Sequence, residues 1–241
     1  MVVELTGLDR IIESMRTPLE QYARLVADLA GSTAKGLTLF GAITTGRFDR
    51  DRHTARSVLV VDRVDLGMLR RLAEQGTRLG KARIAAPLIM TPDYIKASLD
   101  TFPLELIEIR QQHMTLFGED FFADLSFDDA HVRLQCEREL KVILIGLRQG
   151  LLAAAGREKL LGALEQDMGE GLMRTLRGVL WLKGDRDPKP AAQVLDEIEK
   201  TTDVKLAGIR VALDPGANHG WPEFESLYAD VEALEKVADA S

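Results

Sequence analysis

The sequence predicts an α+β protein in which an N-terminal mixed sheet flanked by helices is followed by an all-α helical bundle. Two observations carry this reading. Over residues 18 to 110 the apolar residues switch repeatedly between helical spacing and short strand-like runs, the pattern of a sheet covered by helices. Beyond Phe127 the strand signal fades and apolar residues recur at helical spacing. The implied domains are residues 1–126 and 127–241.

Leu8, Ile11, Ile12 and Met15 share one helical face, and Leu19, Tyr22, Leu25, Val26 and Leu29 resume the pattern after Pro18. Two helices joined at the proline are expected, with Thr17 as cap and Glu20 completing a capping box. Leu37 to Phe40 reads as a strand that stops at Gly41, and Val58 to Val61 as a second strand beyond a loop rich in Arg and Asp. Leu66, Leu69 and Leu72 place a helix over 65–75, Ile84 to Met90 is apolar again, and Thr91 with Pro92 opens another helix. Leu104 to Ile109 reads as a further strand.

In the second half, Val132 to Ala155 is a long helix ended by Gly156. Leu160 to Trp181 follows, with Gly162, Gly169 and Gly171 expected to divide it by a kink or turn. Asp185 to Pro190 is a linker. Helices then occupy Ala191 to Lys200, Val204 to Leu213 and Glu223 to Val237, with Asp214, Pro215, Gly216 and Asn218 in the last loop.

At 46 % apolar and 29 % charged residues the chain is too hydrophobic for disorder. No apolar run approaches the roughly 20 residues that span a bilayer, and the N-terminal decapeptide carries an acid where a signal peptide needs bases. The reading is a cytoplasmic protein with no membrane partner. A net charge of -7 argues against a nucleic-acid partner. Cys136, the single cysteine, is assigned to core packing, and His53, His113, His131 and His219 lack the spacing of a metal site. No metal ligand is assigned. A homo-oligomer is compatible with this composition.

Function is concentrated between Leu37 and Val61. A strand ends at Gly41, and four residues separate that glycine from Gly46. A glycine at a strand end lets phosphate approach the backbone, where turn amides can donate to it. Gly41, Ala42, Thr44, Thr45, Gly46 and Arg47 are the candidate nucleotide-binding residues, with Arg50, Arg52 and Arg56 extending a local basic patch. The plain alternative is a two-glycine turn beside a solvated loop in which Asp49 and Asp51 offset half the charge.

The run Gly41-Ala42-Ile43-Thr44-Thr45-Gly46 resembles the Gly-Ser turn of the nucleotidyltransferase superfamily, the polymerase-β-like fold of the kanamycin-type and minimal enzymes. Leu99 to Leu106 is similar to the strand bearing that family's third acid, and Arg133 to Leu147, with Glu137, Arg138 and Glu139, to the opening helix of its C-terminal domain. The resemblance implies two acids, one residue apart, on the strand after the glycine turn, holding magnesium against a nucleoside triphosphate. With the glycines in register those positions fall on Ala55 and Ser57, and Ala42 replaces the turn serine.

Three functions stay open on this reading. The first is a catalytically impaired nucleotidyltransferase-like protein acting by nucleotide or partner binding, with no catalytic residue. The second is an active enzyme using Asp49, Asp51 and Glu105, or Glu108, with magnesium and a nucleoside triphosphate to move a nucleoside monophosphate onto a small molecule or protein. The third is a structural or regulatory interaction protein.

Overall fold

The computed structural model describes residues 3–46, 48–214 and 216–239; Arg47 and Pro215, both named above, lie outside them. The chain forms two compact units. One comprises the residues up to Leu99 together with Glu108–Ser126, and the other Asp100–Ile107 together with the chain from Phe127 onward.

In the first unit a 3-10 turn at Leu8–Arg10 precedes α1 (Glu13–Ala30). Then come β1 (Ala34–Phe40), a 3-10 turn at Gly41–Thr44, β2 (Arg56–Val61), α2 (Leu66–Ala73), α3 (Gly76–Lys81), β3 (Leu88–Met90) and α4 (Pro92–Ala97). Helix α5 (Pro103–Gln111) spans the division between the units, and β4 (His113–Gly118) completes the sheet. The order is β3-β2-β1-β4, with β1 antiparallel to β2 and β4, and β2 parallel to β3. This is a mixed sheet flanked by helices.

Two helices meeting at Pro18 are replaced by the single α1. A proline inside a helix costs roughly 3 kcal/mol, but Met15, Leu19, Tyr22, Ala23, Val26 and Ala27 form one buried face that runs across it. That burial is large enough to carry the helix through. The face packs on Leu37 and Leu39 of β1, on Ala55, Leu59 and Val61, and on Met114 and Leu116 of β4. Gly36 of β1 pairs with Gly118 of β4; a side chain on Gly118 would overlap the Lys35 carbonyl oxygen, and its φ of 77° suits glycine.

The expected strand Leu104 to Ile109 is helix α5. Its acids, Glu105 and Glu108, stand three residues apart and share a helical face, whereas Leu104, Leu106, Ile107 and Ile109 are all buried. A helix enclosed on several sides shows no apolar stripe and therefore reads as a strand. The apolar run Ile84 to Met90 contributes only the three residues of β3, with Ile84 making an isolated bridge to Ala55.

The second unit is built from α6 (Asp129–Ala154), α7 (Glu158–Leu182), α8 (Ala191–Thr202), α9 (Ala207–Ala212) and α10 (Trp221–Asp239). Its core joins Val132, Cys136, Leu140, Leu172, Leu176, Ile198 and Leu227 to Leu104 and Ile107 of α5. Helix α7 runs unbroken through its glycines. Three of these serve close approach: a Cβ at Gly162 would lie 2.8 Å from Cβ of His219, one at Gly169 3.1 Å from Cβ of Ala212, and one at Gly178 2.6 Å from Sγ of Cys136.

Candidate functional site

The glycine turn sits at the end of β1. Gly41 has φ 74°, donates its amide to the Gln112 carbonyl at 2.9 Å, and begins the 3-10 turn whose Ile43 is buried. Thr44 and Thr45 close it, their hydroxyls donating to the Gly41 and Ala42 carbonyls at 2.9 Å each. These hydroxyls cap the turn they belong to, which fixes its shape. Gly46 has open space where a side chain would be.

Strand β2 follows, and its pleat sends successive side chains to opposite faces. Ala55, Leu59 and Val61 belong to the core under α1, and Ser57 points the same way, its hydroxyl 2.7 Å from that of the buried Tyr22. Both positions implied for metal-binding acids therefore lie beneath helix α1. Burial holds the Tyr22 phenol above its ordinary range, only partly offset by the Ser57 hydrogen bond.

Arg56 points to the other face. Its guanidinium lies 4.3 Å from the ring centroid of Phe40, its partner on β1, and its Nη1 donates to Oε1 of Glu108 at 2.8 Å. The same Nη1 is 4.0 Å from where a Cβ on Gly41 would stand, so the guanidinium borders the turn. Phe40 in turn pairs with His113 on β4. The His113 ring bonds the Arg110 carbonyl and Oδ2 of Asp120, both at 2.9 Å. Burial would raise the Asp120 carboxyl, but the Phe122 amide, His113 and the Ala123 amide outweigh it and hold it below its ordinary value. Arg56, Phe40 and His113 thus form one cross-strand row beside Gly41.

Asp49 and Asp51 belong to no strand. The Asp49 carboxylate accepts from the Asp51 amide at 2.9 Å and lies 3.8 Å from Arg52, and the Asp49 amide donates to His53. They are partners in a tight turn. Glu105 lies on α5 in the second unit, accepting from Arg174 at 2.9 Å and from Gln135 at 2.8 Å. Glu108, by contrast, is in the first unit and reaches Arg56. Strand β3, parallel to β2, reads Leu-Ile-Met and carries no acid.

Among the described residues no three His, Cys, Asp or Glu side chains converge as metal ligands. With an aliphatic residue at 55, a hydroxyl engaged by Tyr22 at 57 and a guanidinium between them, the donor set does not fit a magnesium pair. The described helices include none long and apolar enough to cross a membrane.

No family model matches the chain, and no curated protein matches it in sequence. Among solved structures, a spectinomycin adenyltransferase, AAD(9) from Enterococcus faecialis, in complex with ATP and spectinomycin, is similar with a TM-score of 0.58. The match covers 92 % of this chain and 98 % of that one at 8 % identity. This chain has a nucleotidyltransferase-like fold. On that fold the turn, the Arg56 row and Glu108 all fall within the first unit. In the sequence Arg56 stands only as one of four arginines in a basic loop, and Phe40, His113 and Asp120 carry no signal of a site. The period-two alternation of β2, once its first residue is fixed, is the signal that singles Arg56 out.

Proposed function

We propose that the protein is a catalytically impaired nucleotidyltransferase-like protein that binds a nucleotide at the Gly41–Gly46 turn without transferring it. The observation that carries this reading is Arg56: the face of β2 directed away from α1 presents a cation beside the glycine turn, paired to Glu108 at 2.8 Å. Two-metal nucleotidyl transfer needs converging carboxylates that clamp the triphosphate and activate the acceptor. An arginine fork instead offers donors suited to phosphate oxygens without supplying that chemistry. The ATP held by the similar adenyltransferase supports a nucleotide as ligand.

The test is thermal unfolding with ATP, GTP, CTP and UTP in turn, alongside an assay for pyrophosphate release with magnesium. Binding to the folded state alone, at a hundredfold excess over Kd, adds about 2.7 kcal/mol. A shift with at least one nucleotide and no pyrophosphate is the expected result. Pyrophosphate release would show an active enzyme, and no shift with any nucleotide would end the nucleotide-binding reading.

A further inference from the structure

Resting on that nucleotide-binding reading, we infer that the site takes its nucleotide free of divalent metal, with Arg56 supplying the positive charge and Glu108 competing with the phosphate for it. Three features of the first unit lead there.

The first is position. Arg56 occupies the strand position between the two at which metal-binding acids are implied, and it is directed away from α1. A divalent cation brought there meets a fixed guanidinium, and the nearby Glu108 is already bonded to that guanidinium. Hard cations bind where several oxygens converge, and one engaged carboxylate does not meet that need.

The second is restraint. The guanidinium stacks 4.3 Å above the Phe40 ring, which holds its plane, while Phe40 is itself tied by strand pairing to Arg56 and His113. Of the five N–H donors of an arginine, the hydrogen bond found for this side chain among the described residues runs from Nη1 to Glu108. A stacked, half-exposed fork with donors to spare suits a phosphate.

The third is access. Gly41 places no side chain in the space 4.0 Å from Nη1, and its positive φ keeps glycine favoured there. With no side chain on Gly41, a phosphate can approach the fork from the turn side, where it meets the guanidinium that Glu108 also holds. Because Glu108 is an anion bound to the same nitrogen, every phosphate that binds must weaken that ion pair. A metal-free triphosphate, carrying about two more negative charges than its magnesium complex, competes better for the guanidinium.

The experiment measures binding of ATP by calorimetry and thermal shift, once in chelator and once in excess magnesium, with inorganic triphosphate as a second probe. ATP should bind at least as tightly in chelator as in magnesium. Arg56→Ala should weaken binding tenfold or more, and Glu108→Gln should tighten it severalfold. Each variant's melting midpoint without ligand reports whether it is folded; if Arg56→Ala does not fold, Arg56→Lys and Glu108→Gln carry the test. Tighter binding in magnesium, or weaker binding in Glu108→Gln, overturns the metal-free mode and leaves nucleotide binding standing. If ATP, GTP, CTP, UTP and triphosphate all fail to bind under either condition, both fall.

Discussion

The hydroxyls of Tyr22 and Ser57 meet at 2.7 Å inside the core, joining α1 to β2. An acid introduced at 57 therefore lies beneath that helix. Ser57→Asp is expected to lose on the order of 3–5 kcal/mol, since a buried charge with no cation beside it is costly, and to gain no metal binding. Ser57→Ala should lose about 1–3 kcal/mol by leaving the phenol without its partner. Chemical denaturation of the two variants, with calorimetric titration of magnesium into Ser57→Asp, checks both. Magnesium binding by a stable Ser57→Asp would show that position 57 can reach solvent.

The Gly36–Gly118 pair sets how closely β1 and β4 approach. Gly118→Ala adds a methyl group against the Lys35 carbonyl at φ 77°. A loss of more than about 2 kcal/mol is expected from backbone strain and overlap together, read as a lower denaturation midpoint. Gly46→Ala, where nothing lies within 4 Å, should change stability little.

Asp230 is buried in the second unit and accepts from the Ile209 amide at 3.0 Å, capping the start of α9. Burial pushes its carboxyl up to about 6 from 3.8, against the hydrogen bonds it accepts from Ile209 and Gly208. The folded state then holds a proton that the unfolded chain has released, so this group's contribution falls as pH rises from about 4 to about 6 and is level above that. Asp230→Asn retains an accepting oxygen and cannot ionise. The stability difference between Asp230→Asn and wild type should move in the variant's favour by up to about 3 kcal/mol across that window, as followed by urea denaturation at pH 4.5 to 8.

Glu165 on α7 and His219, just before α10, lie 2.7 Å apart with 1 % of the Glu165 side chain exposed. One carboxyl oxygen of Glu165, Oε1, is buried with no hydrogen-bond partner among the described residues. Burial raises the carboxyl above its ordinary value, and His219 pulls it only part of the way back. His219→Ala leaves both oxygens without a partner at a cost on the order of 3 kcal/mol. A raised carboxyl binds its proton more readily in the folded state, so the deficit should shrink as pH falls. Melting curves at pH 8 and pH 5 test this; an equal deficit at both would mean that His219 acts through packing alone.

What could be read from the sequence follows how sharply each segment is bounded. β1 and β2 are short apolar runs, the first closed by Gly41, and α6 keeps its apolar period up to Gly156, so all three stand out. β4 escaped because His-Met-Thr-Leu-Phe-Gly mixes polar and apolar residues without a boundary signal. The glycine turn was legible because glycine spacing survives any choice of alignment. The residues facing it were not, because a shift of one position on a strand exchanges its faces. The packing of Ala55, Leu59 and Val61 with α1 and the Ser57–Tyr22 hydrogen bond fix which residues of β2 lie under that helix, and the pairing of Phe40 with Arg56 places the alternate face beside the turn.

The division of α5 bears on how the chain folds during synthesis. Leu104 and Ile107 complete a core whose other members come from Phe127 onward, and Leu104 fills the space beside Gly178. As the chain leaves the ribosome N-terminus first, residues 100–107 emerge with their partners still unmade. They remain uncovered until most of the helical unit has followed. A fragment beginning at 127 would lack Leu104 and Ile107, whereas one beginning at 100 carries every described residue of that core.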